Sequence, residues 1–307
     1  MNAHATTTFS TELAPPAARP LPDLFPEARP AGGVSGFVRR HPTMVIGGLL
    51  LLLMILVAVF APWLTARDPA SVAPALRKLE PSARFWFGTD ILGRDLYSRV
   101  LFGARVSLVV GFAVALFSCL IGLAIGLVSG YVRWADNVVM RVMDGMMSIP
   151  PILLAIALMA LTQASIGNVI LAITVTEIPR VARVVRGIVI SLREQPFVEA
   201  AIASGTRAPT IMVRHILPNV MGPLIVQATF ICASAILIEA ALSFLGAGTP
   251  SNIPSWGNIM AEGRSIWQVK PYIVFFPALF LSVTVLAMNM LGDGVRDLLD
   301  PRMNEHV

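Results

Sequence analysis

Apolar runs of about 20 residues recur along this chain of 307 residues. A transmembrane helix needs about 20 consecutive apolar residues to cross the hydrocarbon core of a bilayer. The composition agrees with membrane insertion, because 56% of the residues are hydrophobic and only 13% are charged, against roughly 25% charged in a soluble domain. We therefore predict an all-α integral membrane protein with six transmembrane helices, at residues 43–64, 106–132, 138–161, 166–185, 220–245 and 272–291.

Two of the six predicted spans carry features that a bilayer does not favour. The third contains Asp144 and the pair Pro150-Pro151, and the fourth contains Glu177 and Pro179 near its end. Asp144 and Glu177 lie near span ends, where a carboxylate can reach water, so we assign both a structural role. Glu239 is different, because it lies inside the fifth span. An ionisable group there is costly and is by default a candidate functional residue, with a hydrogen bond to a neighbouring helix as the structural alternative.

Charge placement orients the predicted helices. Arg39 and Arg40 precede the first span, and basic residues favour the cytoplasmic side. Six spans then place both termini and the connection 186–219 in the cytoplasm of a multi-pass inner-membrane protein. The 65–105 loop is also rich in arginine, but long loops cross a membrane largely regardless of charge.

The same pattern divides the chain into four parts. Residues 1–38 are rich in alanine and proline, which predicts a disordered cytoplasmic tail. Residues 39–104 hold the first span and an external loop, residues 105–296 hold a core of five spans, and residues 297–307 form a cytoplasmic C-terminal tail.

Several functions are disfavoured by what the sequence lacks. It has no block of Lys and Arg, so we expect no nucleic-acid partner. Cys119 and Cys232 both lie in apolar runs, too few for a disulfide framework or a zinc site. The phosphate-binding pattern G-x-x-x-x-G-K-[ST] and the common hydrolase patterns are missing. We expect no catalytic residue, no cofactor and no metal site, and we interpret Asp293, Asp297 and Asp300 as a solvated helix end.

The most unusual stretch is a polar loop between the fourth and fifth spans. Residues 197–204 read as a short helix, which Gly205 ends in a left-handed conformation. A second short helix follows, with Pro209 in its first turn, and Pro218-Asn219 is expected to break it before the fifth span. Two short helices joined at a glycine form a compact hairpin. From these residues alone, the loop is either a docking surface or a simple polar connector.

The loop resembles the "EAA" loop of permeases from ATP-binding-cassette (ABC) importers. Glu199-Ala200-Ala201 is followed by three residues, then Gly205, and the loop closes with Ile216-Leu217-Pro218. The resemblance extends from about residue 37 to residue 302 through further matching segments: Phe87-Gly88-Thr89-Asp90, Leu92-Gly93-Arg94-Asp95, Ser191-Leu192-Arg193-Glu194, Arg214-His215-Ile216-Leu217-Pro218-Asn219, Glu239 to Gly246, Pro254-Ser255-Trp256-Gly257-Asn258 and Leu291 to Asp297. Together they resemble the second, C-type permease subunit of dipeptide, oligopeptide and nickel importers.

This resemblance implies a fold, a site and a set of partners. The fold would be that of a type I ABC importer permease, with residues 105–296 as its core and 191–219 as the cytoplasmic coupling loop. The loop would dock on an ATPase that hydrolyses ATP in its place, through the following residues: Glu199, Ala200, Ala201, Gly205, Arg214, Ile216, Leu217 and Pro218. The implied partners are a second homologous permease in a heterodimer, two cytoplasmic ATPase subunits and an extracytoplasmic solute-binding protein. His215 departs from the general pattern, which has an aliphatic residue there.

The implied function is import of di- or oligopeptides or a related small solute, such as a nickel chelate. A stand-alone channel or secondary transporter is the alternative from another class, and a membrane-anchored scaffold is a third. The segment from Asp90 to Asp95 has acidic residues at metal-like spacing without the calcium-loop pattern. We interpret it as a structured external loop, held by glycines and by an ion pair between Arg94 and an aspartate.

Overall fold

The computed structural model describes residues 34–299, and this part of the chain is almost entirely helical. No β-strand is formed within it, apart from an isolated bridge between Thr89 and Asp95. The helices are α1 (Val34–Arg40), α2 (Pro42–Leu64), α3 (Leu96–Tyr131), α4 (Arg133–Met147), α5 (Pro151–Ala160), α6 (Ile166–Arg193), α7 (Pro196–Ala203), α8 (Ala208–Ile211), α9 (Leu217–Phe244), α10 (Trp256–Gly263) and α11 (Tyr272–Leu299). The predicted all-α membrane fold is confirmed.

Four helices in the described part are long and apolar enough to cross a membrane: α2, α3, the continuous stretch Ala208–Phe244, and α11. The predicted third span is not one straight helix. It consists of α4 and α5, which meet at an angle of 87° and count as a fifth candidate only if taken together. The break falls at Pro150-Pro151, because a residue that precedes a proline is disfavoured in the α-helical conformation.

The predicted fourth span is part of a longer helix than expected. α6 continues from Ile166 to Arg193, and its C-terminal half carries Arg180, Arg183, Arg186 and Arg193. Because of these charges it does not qualify as a span on apolar composition, so the count of six transmembrane helices stays a prediction.

The centre of the fold is the contact between α3 and α6, which is the most extensive of any two helices. Gly122, Gly126 and Gly130 lie one turn apart on α3. A Cβ atom added to each would lie 2.5, 2.6 and 2.6 Å from the Cβ atoms of Val181, Val185 and Val189 on α6. The two helices run parallel, since both sets of residue numbers increase together. The glycines are required here because small residues four apart let helix backbones approach closely.

The other long helices pack around this pair. α9 lies against α3, and α11 lies against both α2 and α9. Gly47 of α2 faces the backbone of Leu291 in α11, where an added Cβ would lie 2.7 Å from the Leu291 nitrogen. On its other side α2 exposes large apolar residues, among them Leu49, Leu52 and Trp63. This surface suits contact with lipid.

The predicted tails fall mostly outside the described residues. Of the predicted N-terminal tail, only residues 34–38 lie within the described part, and they begin α1. Of the predicted C-terminal tail, residues 297–299 belong to the end of α11.

Candidate functional site

The 191–219 loop folds as the helical hairpin that its sequence predicts. α7 starts at Pro196, where the missing proline N–H costs nothing because the first amides of a helix have no partner inside the helix. Glu199 lies in the first turn of α7, where a negative charge is favoured by the helix dipole.

Gly205 ends α7 in the expected left-handed conformation, with a φ angle of 75°. The Gly205 amide donates to the Ile202 carbonyl over 2.9 Å, and the Thr206 amide donates to the Ala201 carbonyl over 3.1 Å. These two bonds form a Schellman turn, which satisfies carbonyls that the helix end leaves without partners. No heavy atom lies within 4 Å of the position of a Cβ on Gly205, so its backbone angle rather than space requires glycine.

The predicted break at Pro218-Asn219 is wrong. α8 starts at Ala208 with Pro209 in its first turn and continues through a π-helical turn, Met212–Ile216, directly into α9. Proline lacks an amide hydrogen and pushes away the carbonyl one turn before it. The wider π-turn accommodates this, because it contains Arg214, whose carbonyl lies four residues before Pro218. The side-chain amide of Asn219 donates to the His215 carbonyl over 2.7 Å, which stabilises the continuous path.

The hairpin has a buried inner face and an exposed outer face. Val198, Ile211 and Ile216 are fully or almost fully buried and belong to the hydrophobic core. Phe197 and Ile202 face outward with 44% and 50% of their surface exposed.

The predicted coupling residues also divide into buried and exposed ones. Ile216 is buried, Ala201 and Leu217 are half-buried, and five are exposed: Glu199, Ala200, Gly205, Arg214 and Pro218. Within residues 34–299, neither Glu199 nor Arg214 forms an ion pair. The loop therefore presents apolar side chains on its surface, together with charged side chains that form no ion pair within the described part of the chain.

Ion pairs fix the bundle next to the base of this hairpin. Arg186 of α6 donates two hydrogen bonds to Asp136 of α4, of 2.9 and 2.6 Å, and Arg183 pairs with Asp144. Arg193 donates to the Tyr131 carbonyl at the end of α3 over 3.2 Å. Sequence reasoning placed Asp144 near water but did not anticipate these partners, which depend on the packing of α4 against α6.

Glu239 lies in a buried polar network rather than in an open cavity. It is fully buried, and its carboxylate accepts hydrogen bonds from Ser243 over 2.8 Å and from Ser107 of α3 over 3.2 Å. Ser243 also contacts Thr249, which in turn binds Asn258. Glu239 therefore forms the hydrogen bond to a neighbouring helix that a structural role would require. Glu177 is also buried and pairs with Arg180 over 3.0 Å.

The loop before α3 confirms the predicted pair between Arg94 and an aspartate. Arg94 Nε donates to Asp90 over 2.6 Å, and Asp90 also accepts the backbone amides of Leu92 and Arg94. Arg99 contacts the same carboxylate, and Glu262 of α10 binds both arginines. We call Asp90, Arg94, Arg99 and Glu262 the four-charge cluster. Its two positive and two negative charges balance, as buried charges require.

The two glycines of this loop adopt the left-handed backbone conformation, which agrees with a structured loop. Gly88 and Gly93 have φ angles of 81° and 79°, and a Cβ on Gly93 would lie 1.9 Å from the Ala73 carbonyl oxygen. Within residues 34–299, no group of three or more His, Cys, Asp or Glu side chains is arranged to hold a metal ion. Asp300 lies outside the described residues.

Comparison with protein families identifies two matching regions. Residues 120–305 match the model described as "Binding-protein-dependent transport system inner membrane component". Residues 38–81 match the "N-terminal TM domain of oligopeptide transport permease C".

Curated relatives match over most of their length. The probable peptide ABC transporter permease protein y4tQ of Sinorhizobium fredii is 53% identical, over 86% of this chain and 90% of the relative. The dipeptide transport system permease protein DppC of Alkalihalophilus pseudofirmus is 41% identical, over 96% and 99%. The glutathione transport system permease protein GsiD of Pectobacterium atrosepticum is 40% identical, over 87% and 89%.

One solved chain has the same fold. It comes from inward-facing conformations of the MetNI methionine ABC transporter, with a TM-score of 0.56 and 22% identity, over 66% of this chain and 97% of the solved chain. The expected type I importer fold is confirmed by this likeness.

Proposed function

Because the chain belongs to the family of binding-protein-dependent transport system inner membrane components, we propose that it forms half of the translocation pathway of an importer for di- or oligopeptides or a related small solute. A nickel chelate is one such solute. In this family ATP is hydrolysed by a separate subunit, and the chain itself is a permease rather than an enzyme.

The observation that carries the proposal is the hairpin of the 191–219 loop. Its inner face is anchored in the core by Val198, Ile211 and Ile216, while Phe197, Glu199 and Ile202 face outward. An apolar surface with an adjacent charge, held on a rigid element, suits a protein partner. In our proposal, this face docks on a cytoplasmic ATPase, with both chain termini on the same side of the membrane.

The full assembly in this proposal has four kinds of component besides the lipid bilayer. This chain pairs with a second homologous permease, two ATPase subunits bind from the cytoplasm, and a solute-binding protein delivers solute from outside. The names of the relatives support peptides or glutathione as cargo. The choice of solute is assigned to the binding protein.

The continuous helix from Ala208 to Phe244 gives the hairpin a direct mechanical path into the membrane. Movement of the hairpin when the ATPase pair closes is passed from α8 to α9 through the π-helical turn, because the helix is continuous from Ala208 to Phe244. In such switches, a partner shifts the equilibrium between two conformations of one structural element. The pathway then alternates between openings to the two sides.

Gly205 offers the sharpest test of this coupling role. Gly205→Pro removes the amide that binds the Ile202 carbonyl and cannot adopt a φ of 75°. Gly205→Asn is the matched control, since asparagine tolerates this conformation. In proteoliposomes with the full assembly, we expect Gly205→Pro to hydrolyse ATP without solute uptake and Gly205→Asn to retain most of its uptake.

Glu199→Trp tests the exposed face independently, with Glu194→Trp as the control. Both glutamates are exposed, but only Glu199 lies on α7. We expect the first variant to insert in the membrane normally and lose coupled uptake, and the second to stay near wild type. Normal solute-stimulated uptake in both Gly205→Pro and Glu199→Trp would overturn the coupling role. Uptake by the chain alone, without any ATPase, would favour a channel or secondary transporter instead.

Glu239 remains a candidate pathway residue, and we propose that it acts through the hydrogen-bond network rather than by touching solute. Its closed contacts with Ser107 and Ser243 support this assignment. Glu239→Gln keeps hydrogen-bonding capacity, so we expect uptake within about twofold of wild type and a wild-type solute profile. A change in which solutes are transported would instead place Glu239 in the pathway.

A further inference from the structure

A cleft between the end of α9 and the start of α11 combines apolar walls with one arginine. It has a volume of about 400 Å³ and is lined by Phe244, Arg264, Trp267, Pro271, Val274 and Phe275. A volume of this size falls within the range of small-molecule sites, roughly 300–1,000 Å³.

The walls of the cleft are fixed by packing. A Cβ atom on Gly263 at the end of α10 would lie 2.8 Å from Val274, so α10 rests directly on α11. Backbone hydrogen bonds from Val269 and Lys270 to Ile266 fold the connecting segment into turns. Arg264 is thus held on a structured turn and not on a loose loop.

The charges at this end leave Arg264 without a carboxylate. Of the two cations between α10 and α11, Lys270 pairs with Glu80 over 2.7 Å. Arg264 forms no ion pair among residues 34–299, and its polar contact is a 3.5 Å approach to the Phe244 carbonyl. Its guanidinium lies 5.9 Å from the centre of the Phe244 ring. An exposed guanidinium of this kind is free to bind a phosphate, which it can do with two parallel hydrogen bonds.

The position of the cleft indicates that a phosphate bound by Arg264 would belong to a membrane lipid. α9 ends and α11 begins at this level, and both are long enough to cross a membrane, so the cleft lies where a bilayer surface would be. Trp267 and Phe275 are 57% and 59% exposed beside it, and tryptophan is enriched at the membrane–water interface.

We propose that this cleft binds the headgroup of one anionic glycerophospholipid, with the phosphate on Arg264 and an acyl chain along Phe244, Val274 and Phe275. The cleft is complementary to such a lipid, because its one cation suits the phosphate and its apolar walls suit the acyl chain. Basic pockets between transmembrane helices bind lipid headgroups by the same physics.

The test is native mass spectrometry of the full chain, with its partner subunits, in nanodiscs that contain phosphatidylglycerol and phosphatidylcholine. We expect Arg264→Gln to lower retention of phosphatidylglycerol about tenfold and to leave thermal stability unchanged. Arg84→Gln is the control, because Arg84 is an exposed cation in the loop before α3 that does not line the cleft. Val274→Trp, which fills the cleft from its apolar side, should lower retention as well.

Three results would overturn the proposal. One is equal retention of phosphatidylglycerol by wild type and Arg264→Gln. Another is displacement of the lipid by soluble glycerol phosphate at a concentration similar to that of the lipid. This would show that the cleft binds the phosphate alone and not the acyl chain. The third is cross-linking of Trp267→Cys to a partner subunit with no lipid retained, which would show that a protein covers the cleft.

Discussion

The loop before α3 and the 191–219 loop satisfy their charges in opposite ways. In the first, the four-charge cluster pairs Asp90, Arg94 and Arg99 with one another and with Glu262, and Asp90 alone binds two arginines and two backbone amides. In the second, Glu199 and Arg214 are exposed and unpaired among the described residues. One loop is therefore held rigid by its own ion pairs, while the other keeps its charged groups available for a partner.

The largest expected effect comes from opening the four-charge cluster. Asp90→Ala leaves Arg94 and Arg99 buried with one carboxylate between them. Removing one partner of a buried ion pair costs about 3–5 kcal/mol. We expect a corresponding loss of thermal stability in detergent, measured by size-exclusion chromatography after heating.

The matched substitution in the other loop is Glu199→Ala. Because Glu199 is exposed and forms no ion pair within residues 34–299, we expect a change within about 0.5 kcal/mol. Equal losses for Asp90→Ala and Glu199→Ala would break the contrast between the two loops.

A second, smaller effect tests the packing of α3 against α6, the central contact of the fold. A Cβ on Gly126 would lie 2.6 Å from the Cβ of Val185, so Gly126→Leu overpacks the contact of α3 with α6 by about 1–3 kcal/mol. Gly187→Leu on α6 is the control, since no heavy atom lies within 4 Å of its Cβ position. The same heating assay should show a loss for the first variant and none for the second.

A weaker effect is expected at the base of the hairpin. Asp136→Asn removes the partner of Arg186, a half-exposed pair worth at most about 1 kcal/mol. We expect faster hydrogen exchange in α4 with little change in global stability. Asp293→Asn, at an exposed aspartate of α11 that forms no ion pair within residues 34–299, serves as the control and should alter neither. Identical exchange in the two variants would show that this pair does not hold α4.

The smallest effect concerns pH. The Lys270 ammonium, hydrogen-bonded to Glu80, lowers the pKa of that carboxyl below its usual value of 4.5. A lowered folded-state pKa stabilises the fold above the usual pKa, and the contribution is lost as pH falls through the lowered value. Glu80→Gln should therefore reduce stability slightly at pH 6, and this difference should shrink as the pH falls below 4.5. A difference that grows as pH falls would contradict the sign of this interaction.

The sequence predicts the local parts of this fold better than the contacts between them. Gly205 and Pro196 determine their own turn and helix start, so the first helix of the hairpin could be predicted to within one residue at each end. The pair between Arg94 and Asp90 was also within reach, because the two residues are four apart. In contrast, Glu262 lies 168 residues from Arg94, and only the tertiary packing of α10 brings it to the cluster.

Of two features that were not predicted, one has an identifiable signal in the sequence. Gly122, Gly126 and Gly130 repeat every four residues, and that pattern alone predicts a close helix contact. Pro218 was expected to end a helix because proline usually does. The preceding π-helical turn, Met212–Ile216, lets the helix continue.

Hydrogen exchange of the chain with and without its ATPase subunits tests the central contrast most directly. If the 191–219 loop is the docking surface, amides of α7 (Pro196–Ala203) and of Ser204 to Thr206 become protected when the ATPase binds. The loop before α3, where Asp90, Arg94 and Arg99 already pair with one another and with Glu262, should show no change. Unaltered exchange in α7, together with new protection in the loop before α3, would contradict this account.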